Sequence, residues 1–205
     1  MTSVAMRTNR DMSRSFARAA PLLAALLLGG CISFGPKVPP RLFDLTSENP
    51  APAGTGQSGT LANALVVEVP ETSLELNVTR VPVQIDAANV AYLKKAAWVE
   101  RPARLFQRLL AESIRARGNR LVFENEPGDA NSERLTGRLL DMGYDSRTAS
   151  VVVRYDAVRM GRGGQASTRR FESVIPGVPA ENEAVGPALN RAANDVARQV
   201  AEWVG

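Results

Sequence analysis

A short apolar run lies near the end of the first 30 residues of this chain. Residues 19–28 are ten apolar residues in succession, and the segment before them carries four arginines and one aspartate. A helix that crosses a membrane needs about 20 apolar residues, so this run is too short to span one. A run of this length after a basic segment is typical of a secretory signal peptide. We therefore expect residues 1–30 to be an export signal that takes no part in the folded body.

Four residues at the end of this segment, Leu28, Gly29, Gly30 and Cys31, match a known processing signal at every position. Their order resembles the lipobox of bacterial lipoproteins, in which a diacylglycerol is joined to the cysteine thiol and a peptidase cuts before it. The resemblance implies that Cys31, the only cysteine, is lipidated, and that Leu28, Gly29 and Gly30 are recognised by the signal peptidase. The alternative is a lone buried cysteine that follows an ordinary hydrophobic segment.

The residue after the cysteine bears on which membrane would hold the lipid. In enterobacterial lipoproteins, as the resemblance implies, aspartate at this position favours retention in the inner membrane. This chain has Ile32 there, which favours the periplasmic face of the outer membrane. One acyl chain gives only marginal membrane binding, whereas two or more attach a protein stably, and a lipobox product carries at least two. We therefore expect a protein anchored to the membrane through its N-terminal lipid.

The basic character of the chain comes largely from the export signal. Without residues 1–30, 21 basic and 20 acidic residues remain, although the whole sequence has a pI of about 9.7. Binding to nucleic acid needs clustered positive charge, because affinity comes from counterion release at the phosphates. The nearest cluster is Arg115, Arg117 and Arg120, close to a predicted helix end where cations complement the helix dipole. We therefore expect no nucleic-acid partner.

Residue types that most catalytic and metal sites need are scarce in this chain. The sequence has no histidine and one cysteine, which removes imidazole bases, most zinc sites and any disulfide within the chain. Ser150, Ser167 and Ser173 therefore have no histidine to activate them as nucleophiles. We expect no catalytic residue, no metal site and no cofactor.

Two acidic pairs and one glycine-rich stretch are the remaining candidates for chemistry. The acidic pairs, Glu124 with Glu126 and Glu181 with Glu183, lie among polar residues, where solvated charges explain them. Residues 161–164 join two predicted strands. Because no helix begins there, no helix N-terminus can face a phosphate, and a hairpin turn is expected.

Two amphipathic helices are predicted by apolar residues at helical spacing. The first follows Pro102, which suits a first helical turn, and should end near Gly118, a candidate for a left-handed cap. The second should start between residues 182 and 186 and run close to the C-terminus. The apolar stripes consist of Leu105, Phe106, Leu109, Leu110 and Ile114 in the first helix, and of Val185, Leu189, Ala192, Val196, Val200 and Trp203 in the second.

Extended segments are predicted around these helices, and Pro82 places one of them at an edge or a bulge. Apolar runs and alternation mark residues 65–69, 78–85, 90–93, 97–99, 120–124, 134–144, 150–160 and 165–175. Short turns join the last three, which favours an antiparallel meander. Their core faces should carry Leu140, Met142 and Tyr144, then Val151, Val153, Tyr155 and Ala157, then Phe171 and Ile175.

The chain is therefore expected to hold one folded domain behind a tether. Residues 31–60 should be a lipid-anchored tether with a short strand near 41–45. Residues 46–60 should form a flexible loop, since they are rich in Ser, Pro, Ala, Gly and Thr. Residues 61–205 should form a single periplasmic α/β sandwich domain. The expected fold class is α+β, mainly an antiparallel or mixed sheet with two amphipathic helices packed on one face.

Six segments beyond Cys31 carry a further resemblance through their order along the chain. They are residues 41–45, 65–70, 97–102 with Trp98 and Pro102, 109–118, 169–171, and 188–190 together with Trp203. No single segment is specific. The ordered set resembles the ABC-type transport auxiliary lipoprotein family over nearly all of the chain after Cys31.

This family resemblance implies a non-enzymatic component of an envelope transport system. Such systems pair an inner-membrane permease and ATPase with an MCE-domain substrate carrier, and the lipoprotein is taken to meet that carrier at the outer membrane. The implied cargo is phospholipid or another hydrophobic molecule, and a homo-oligomer is left open. The alternatives are a structural or assembly lipoprotein without a transport role, and a periplasmic enzyme that uses carboxylates alone.

Replacing Cys31 tests the predicted anchor. Mass spectrometry of the wild-type protein from the membrane fraction should find a polypeptide that begins at Cys31 and carries a diacylglycerol. Cys31→Ala removes the thiol that is acylated, so this variant should keep residues 1–30 and lack the lipid mass. Ser33→Ala leaves the four signal residues intact and should be processed like the wild type. An unmodified thiol on an uncleaved wild-type chain would contradict the prediction.

Overall fold

Strand β6, residues Glu133–Asp145, is the longest strand and the central one of the sheet. The computed structural model describes residues 41–118, 120–125 and 132–205, and the eight strands of that part belong to one sheet. The other elements are β1 (Leu65–Val67), β2 (Glu71–Thr72), β3 (Arg80–Gln84), β4 (Val90–Ala97), α1 (Pro102–Arg115), β5 (Val122–Glu124), β7 (Ser150–Met160), β8 (Ala166–Pro176) and α2 (Asn182–Val204).

Both edges of β6 are paired with other strands. On one edge β6 runs parallel to three successive pieces of the chain, with β1 at its start, β2 in its middle and β3 at its end. On the other edge it pairs antiparallel with β7, which pairs antiparallel with β8. β5 extends the sheet in parallel beside β1, and β4 extends it antiparallel beside β3. The sheet is mixed, and both the predicted α+β class and the meander of β6, β7 and β8 are confirmed.

Both helices pack on the same face of this sheet. Phe106 of α1 meets Tyr155 of β7 edge-on, with ring centroids 5.3 Å apart, and Trp203 of α2 packs on Phe171 of β8 at 5.6 Å. The predicted apolar stripes are buried in both helices, apart from Trp203, which is partly buried. Gly118 takes a φ of +74° just after α1, as expected of a left-handed cap.

A β-bulge overturns one prediction for β6. The register with β7 shifts between Leu139 and Asp141, so Leu140 is the extra residue. Leu139 and Met142 are both fully buried on the helix side, whereas Leu140 is half-buried. The alternation in the sequence predicts Leu140 on the core face with Met142, and this is wrong because a period of two cannot reveal an inserted residue. The core residues predicted for β7 are all buried.

The hairpin of β3 and β4 also differs from its predicted pieces. Of the two alternatives that Pro82 leaves open, an edge or a bulge, the bulge is confirmed by a register shift between Arg80 and Pro82, since β3 lies between β4 and β6. The segment predicted at 90–93 extends to Ala97 as one strand, β4, which continues through Lys95 with a φ of +56°. Of the segment predicted at 97–99, Trp98 lies beyond β4 and forms a bridge with Phe43. Pairing with β3 on both sides of Lys95, at residues 90–92 and at Ala97, keeps this strand continuous where the sequence pattern predicts a break.

Gly137 allows β6 and β7 to approach each other closely. Its φ of +148° lies in a region that L-residues rarely adopt, and a Cβ atom at this position would lie 2.0 Å from the backbone oxygen of Asp156. Any side chain here would therefore push β7 away from β6. The central pairing of the sheet depends on a residue without a Cβ at this position.

Gly137→Ala should destabilise the fold strongly. The free energy of unfolding should fall by about 3 kcal/mol, because backbone strain adds to the clash with β7. Gly56→Ala is the matched control, since no atom lies within 4 Å of the position of its Cβ, and it should change the stability by less than about 0.5 kcal/mol. Urea unfolding followed by circular dichroism measures both. Equal stabilities of the two variants would show that Gly137 has no special role.

Candidate functional site

The lipidation residue that the sequence predicts lies outside the residues that the structure describes. Leu28, Gly29, Gly30 and Cys31 all precede Arg41, where the described part begins. Lipidation of Cys31 therefore stays a prediction, and the described residues show what such an anchor would hold.

The first segment of the described chain is attached to both the sheet and α2. Phe43 donates its backbone N–H to the oxygen of Ala97 at 2.7 Å and accepts a hydrogen bond from Val99 at 2.8 Å. The rings of Phe43 and Trp98 meet edge-on at 5.7 Å, and Trp98 is 2% exposed. Gly186 of α2 makes room for the Phe43 ring, because a Cβ there would come within 2.8 Å of it. The short strand expected in this segment is reduced to a single bridge.

The following residues run along the helices. Asn194 of α2 accepts the backbone N–H of Glu48 and donates to the backbone oxygen of Thr46, both at 2.9 Å. Glu112 of α1 accepts the N–H of Ala51 at 2.7 Å. The composition predicts a flexible loop here. The structure shows a segment without helix or strand before residue 61 whose backbone is nevertheless hydrogen-bonded to both helices.

In the described part of the chain, the sheet face opposite the helices is uncovered, and it carries rows of alternating charge. We call this surface the open face; it consists of the even-numbered residues of β7 and β8 and their partners on β6. In one row Arg154 of β7 lies between Glu172 of β8 and Asp141 of β6 and forms ion pairs with both. Asp141 directly follows the bulge, which brings its carboxylate opposite Arg154.

The next row of the open face continues the alternation. Arg170 of β8 binds Asp156 of β7 through two hydrogen bonds of 2.6 and 2.7 Å. Asp156 lies opposite Arg138 of β6, which pairs with Glu71 of β2 at 3.3 Å. The hydrogen bonds from Arg170 hold the pKa of Asp156 below its ordinary value. Each exposed pair contributes little to stability by itself, so the rows matter chiefly for the surface that they present.

One end of the open face carries apolar side chains beside charged ones. Val152 of β7 lies between Val174 of β8 and Gly143 of β6 in the strand register. Beside them is a shallow depression to which Leu140 contributes because of the bulge, and charged side chains also line it: Glu75, Asp141, Asp145, Arg147 and Arg154. We call this surface the apolar end; its residues are Val90, Leu140, Val152 and Val174, with Pro82 buried beside them.

A buried ion-pair network attaches the end of α2 to the sheet. Glu133, at the start of β6, is 9% exposed and pairs with Arg120 at 2.6 Å and with Arg159 of β7. Arg120 also donates to the backbone oxygen of Val204 at 3.1 Å, and Arg159 to that of Trp203 at 3.5 Å. Cations are favourable at a helix C-terminus. Arg120 therefore has a structural role, but at the C-terminus of α2 and not at that of α1, near which the sequence places it.

Acidic residues that the sequence singled out do not converge on one site. Glu124 pairs with Arg115 at 2.8 Å, Glu126 lies outside the described residues, and Glu181 and Glu183 are exposed at the start of α2. Within residues 41–118, 120–125 and 132–205, no three potential metal ligands come together. Of the helices in those ranges, neither combines the length and hydrophobicity that a membrane crossing requires.

The three candidate serines have different surroundings and, within the described residues, share no hydrogen-bond partner. The Ser150 hydroxyl lies 2.6 Å from that of Thr148, the Ser173 hydroxyl donates to Asp195 at 3.3 Å, and Ser167 is exposed on β8. The glycine-rich stretch forms the turn between β7 and β8. What the structure brings together is therefore a surface, the open face, which the sequence analysis did not identify.

This arrangement defines an α+β domain that buries one face of a mixed sheet under two helices and presents the other. The chain belongs to the family of ABC-type transport auxiliary lipoprotein components, whose family model matches residues 43–201. The predicted family is confirmed. None of the curated proteins matches the chain.

Solved structures share this fold. A Xanthomonas campestris protein of the DUF330 family superposes with a TM-score of 0.68 at 14% identity, covering 80% of this chain and 94% of that one. An uncharacterized protein gives a TM-score of 0.65 at 12% identity, covering 80% and 97%. The PelC dodecamer of Paraburkholderia phytofirmans, with a TM-score of 0.36 at 10% identity over 70% and 95%, is too distant to bear on this chain. The first two likenesses show the fold alone.

Glu133→Gln should weaken the fold at neutral pH. Burial raises the pKa of Glu133, but the hydrogen bonds from Arg159 and Arg120 outweigh it, so the pKa lies below its ordinary value of 4.5. A carboxyl group with a lowered pKa stabilises the folded state above its unfolded pKa and loses that contribution as the pH falls through the folded pKa. The wild-type free energy of unfolding should therefore decrease as the pH falls below 4.5. The variant should be less stable by about 2 kcal/mol at pH 7. Its free energy of unfolding should also decrease less than that of the wild type as the pH falls.

The control for this variant is Glu71→Gln. Glu71 and Arg138 are 75% and 62% exposed, so removing this pair should change the stability by less than about 0.5 kcal/mol. Urea unfolding between pH 3 and pH 7 measures both variants. If Glu133→Gln kept the wild-type stability at pH 7, the network would not hold α2 to the sheet.

Proposed function

We propose that this chain is an outer-membrane lipoprotein that docks the MCE-domain carrier of an ABC-type transport system. It would help to pass phospholipid or another hydrophobic molecule across the periplasm. The single observation that carries the proposal is membership of the transport auxiliary lipoprotein family over residues 43–201. The carrier and the cargo follow from what the family resemblance implies for such systems.

The proposed anchor would act through the length of the chain after it. Cys31 and Arg41 are ten residues apart, and a fully extended chain of that length spans about 35 Å. A diacylglycerol on Cys31 would therefore keep the body within that distance of the membrane. Because Phe43 and Ala51 are hydrogen-bonded to the sheet and to α1, tension on the tether would act on the folded body directly.

We infer that the carrier meets the apolar end of the open face. The other face of the sheet is filled by the helices, so the open face is the sheet surface that a partner can reach. Val174 and Val90 are 47% and 44% exposed, and grouped exposed apolar residues are typical of binding surfaces. The charges in the adjoining rows are paired with each other, so a partner can cover them without leaving a buried charge unpaired.

Crosslinking in the producing bacterium tests this role with a matched pair of variants. Val152→Glu places a charge in the apolar end, and Val158→Glu places the same charge on the same strand and face, among the charged rows, at a residue of the same half-buried class. A charge at a central contact should lower recovery of the carrier by about tenfold, whereas one outside the contact should have little effect. Mass spectrometry of the crosslinked partners gives the measurement.

The outcomes of this experiment test the docking role and the docking surface separately. A crosslinked MCE-domain protein that depends on Val152 and not on Val158 supports both the docking role and its surface. An MCE-domain protein that both variants retain would move the contact to another surface. A partner set without any MCE-domain protein would overturn the docking role and favour a structural or assembly lipoprotein.

A further inference from the structure

Strand β8 forms one edge of the sheet and directs half of its backbone groups outward. In the described part of the chain it pairs with β7 alone. At the turn between these strands, Gly161 donates to the backbone oxygen of Gln165 at 2.7 Å, and hydrogen-bonded pairs alternate along an antiparallel ladder. The odd-numbered residues of β8 therefore bond to β7. The even-numbered residues direct N–H and C=O away from it, as Glu172 does, whose oxygen accepts a bond of 3.4 Å from Gln199.

An edge of this length is a template for a further strand. The outward groups belong to four residues between the strand ends: Thr168, Arg170, Glu172 and Val174. If a second β8 lay antiparallel with a two-fold axis at Phe171, Arg170 would face Glu172 of the second copy, and Thr168 would face its Val174. Every facing pair would then consist of residues whose backbone groups point at each other.

Charge selects this register among the neighbouring ones. An axis at Arg170 or at Glu172 would place each of these charges opposite its own copy, and like charges directly opposite are destabilising. An axis at Phe171 places opposite charges together instead.

The same register also continues the rows of the open face. One row ends in Glu172, after Asp141 and Arg154, and the other ends in Arg170, after Arg138 and Asp156. With the axis at Phe171, the first row of one copy joins the second row of the other. The signs of the charges then alternate without interruption across both molecules.

We propose that two copies of this chain pair antiparallel through β8, with the two-fold axis at Phe171, into one continuous sheet. Strands in a sheet lie about 4.8 Å apart. α2 lies over β7 and β8. Midway between these strands it would be about 10 Å from the second α2, at the upper end of the 8–10 Å at which helices pack, so the joined sheet leaves room for both helices side by side. Gln199 would give up its 3.4 Å hydrogen bond to Glu172. The open faces of both copies stay accessible on one side of the joined sheet.

Cysteine crosslinking of the full-length protein tests the register. Hydrogen-bonded antiparallel residues have Cα atoms about 5.5 Å apart, which suits a disulfide. A variant with both Thr168→Cys and Val174→Cys should therefore form a covalent dimer on oxidation. Either substitution alone should not, because two copies of position 168 would lie about 20 Å apart. The wild-type chain controls for Cys31, and non-reducing electrophoresis gives the result.

A second measurement does not depend on disulfide chemistry. Thr168→Pro removes an outward N–H that β7 does not use, so the chain should keep its circular dichroism spectrum while light scattering of the purified full-length protein shifts from dimer toward monomer. Thr168→Val keeps the N–H and should remain dimeric. A monomeric wild type, a dimer band from either single cysteine variant, or crosslinking of β8 to a different polypeptide would each overturn the proposal. Loss of carrier docking alone would leave it untouched.

Discussion

Backbone pairing along both edges of β6 is the interaction on which the rest of the structure depends. β6 meets β7 over nearly its whole length and meets β1, β2 and β3 in turn on its other edge. Buried N–H and C=O groups need hydrogen-bond partners, and a central strand finds them on both sides. β1 and β2 are only three and two residues long. Their positions are therefore set by hydrogen bonding to β6.

Packing of the helices on one face of this sheet gives the domain its core. The aromatic contacts of Phe106 with Tyr155 and of Trp203 with Phe171 join each helix to the meander. Burying a large apolar side chain contributes about 1.5–3 kcal/mol, and the two stripes supply many such residues. The network of Glu133 then fixes the end of α2, where its last backbone oxygens accept hydrogen bonds from two arginines.

Burial of one face leaves the other face and the edge of β8 for interactions. The two proposed surfaces share Val174, whose side chain lies on the open face and whose backbone groups lie on the edge. The apolar end is a surface for a carrier, whereas the outer edge of β8 is a site for a second copy of the chain. They are compatible, because extending the sheet sideways does not cover its open face. An anchor at Cys31 would raise the local concentration of both copies at one membrane and so favour their pairing.

Much of the fold can be predicted from the sequence, because some signals depend only on nearby residues. Helical spacing identifies α1 and α2, Pro102 and Gly118 mark the ends of α1, and alternation identifies the core face of β7. The residues around Cys31 that resemble a lipobox and the ordered family segments are equally local signals. Because the sequence has no histidine and one cysteine, imidazole catalysis, most zinc sites and a disulfide within the chain are excluded without reference to any fold.

Tertiary structure decided what depends on partners distant in the sequence. The bulge at Leu140 exists only relative to β7, so the alternation of β6 assigns that residue to the wrong face. Segment 46–60 has the composition of a loop, and only Asn194 and Glu112 on the helices show where its backbone is bound. The charged rows of the open face require the register of three strands. Periodicity and turn residues act over a few positions, whereas register and pairing are set by contacts between residues far apart in the chain.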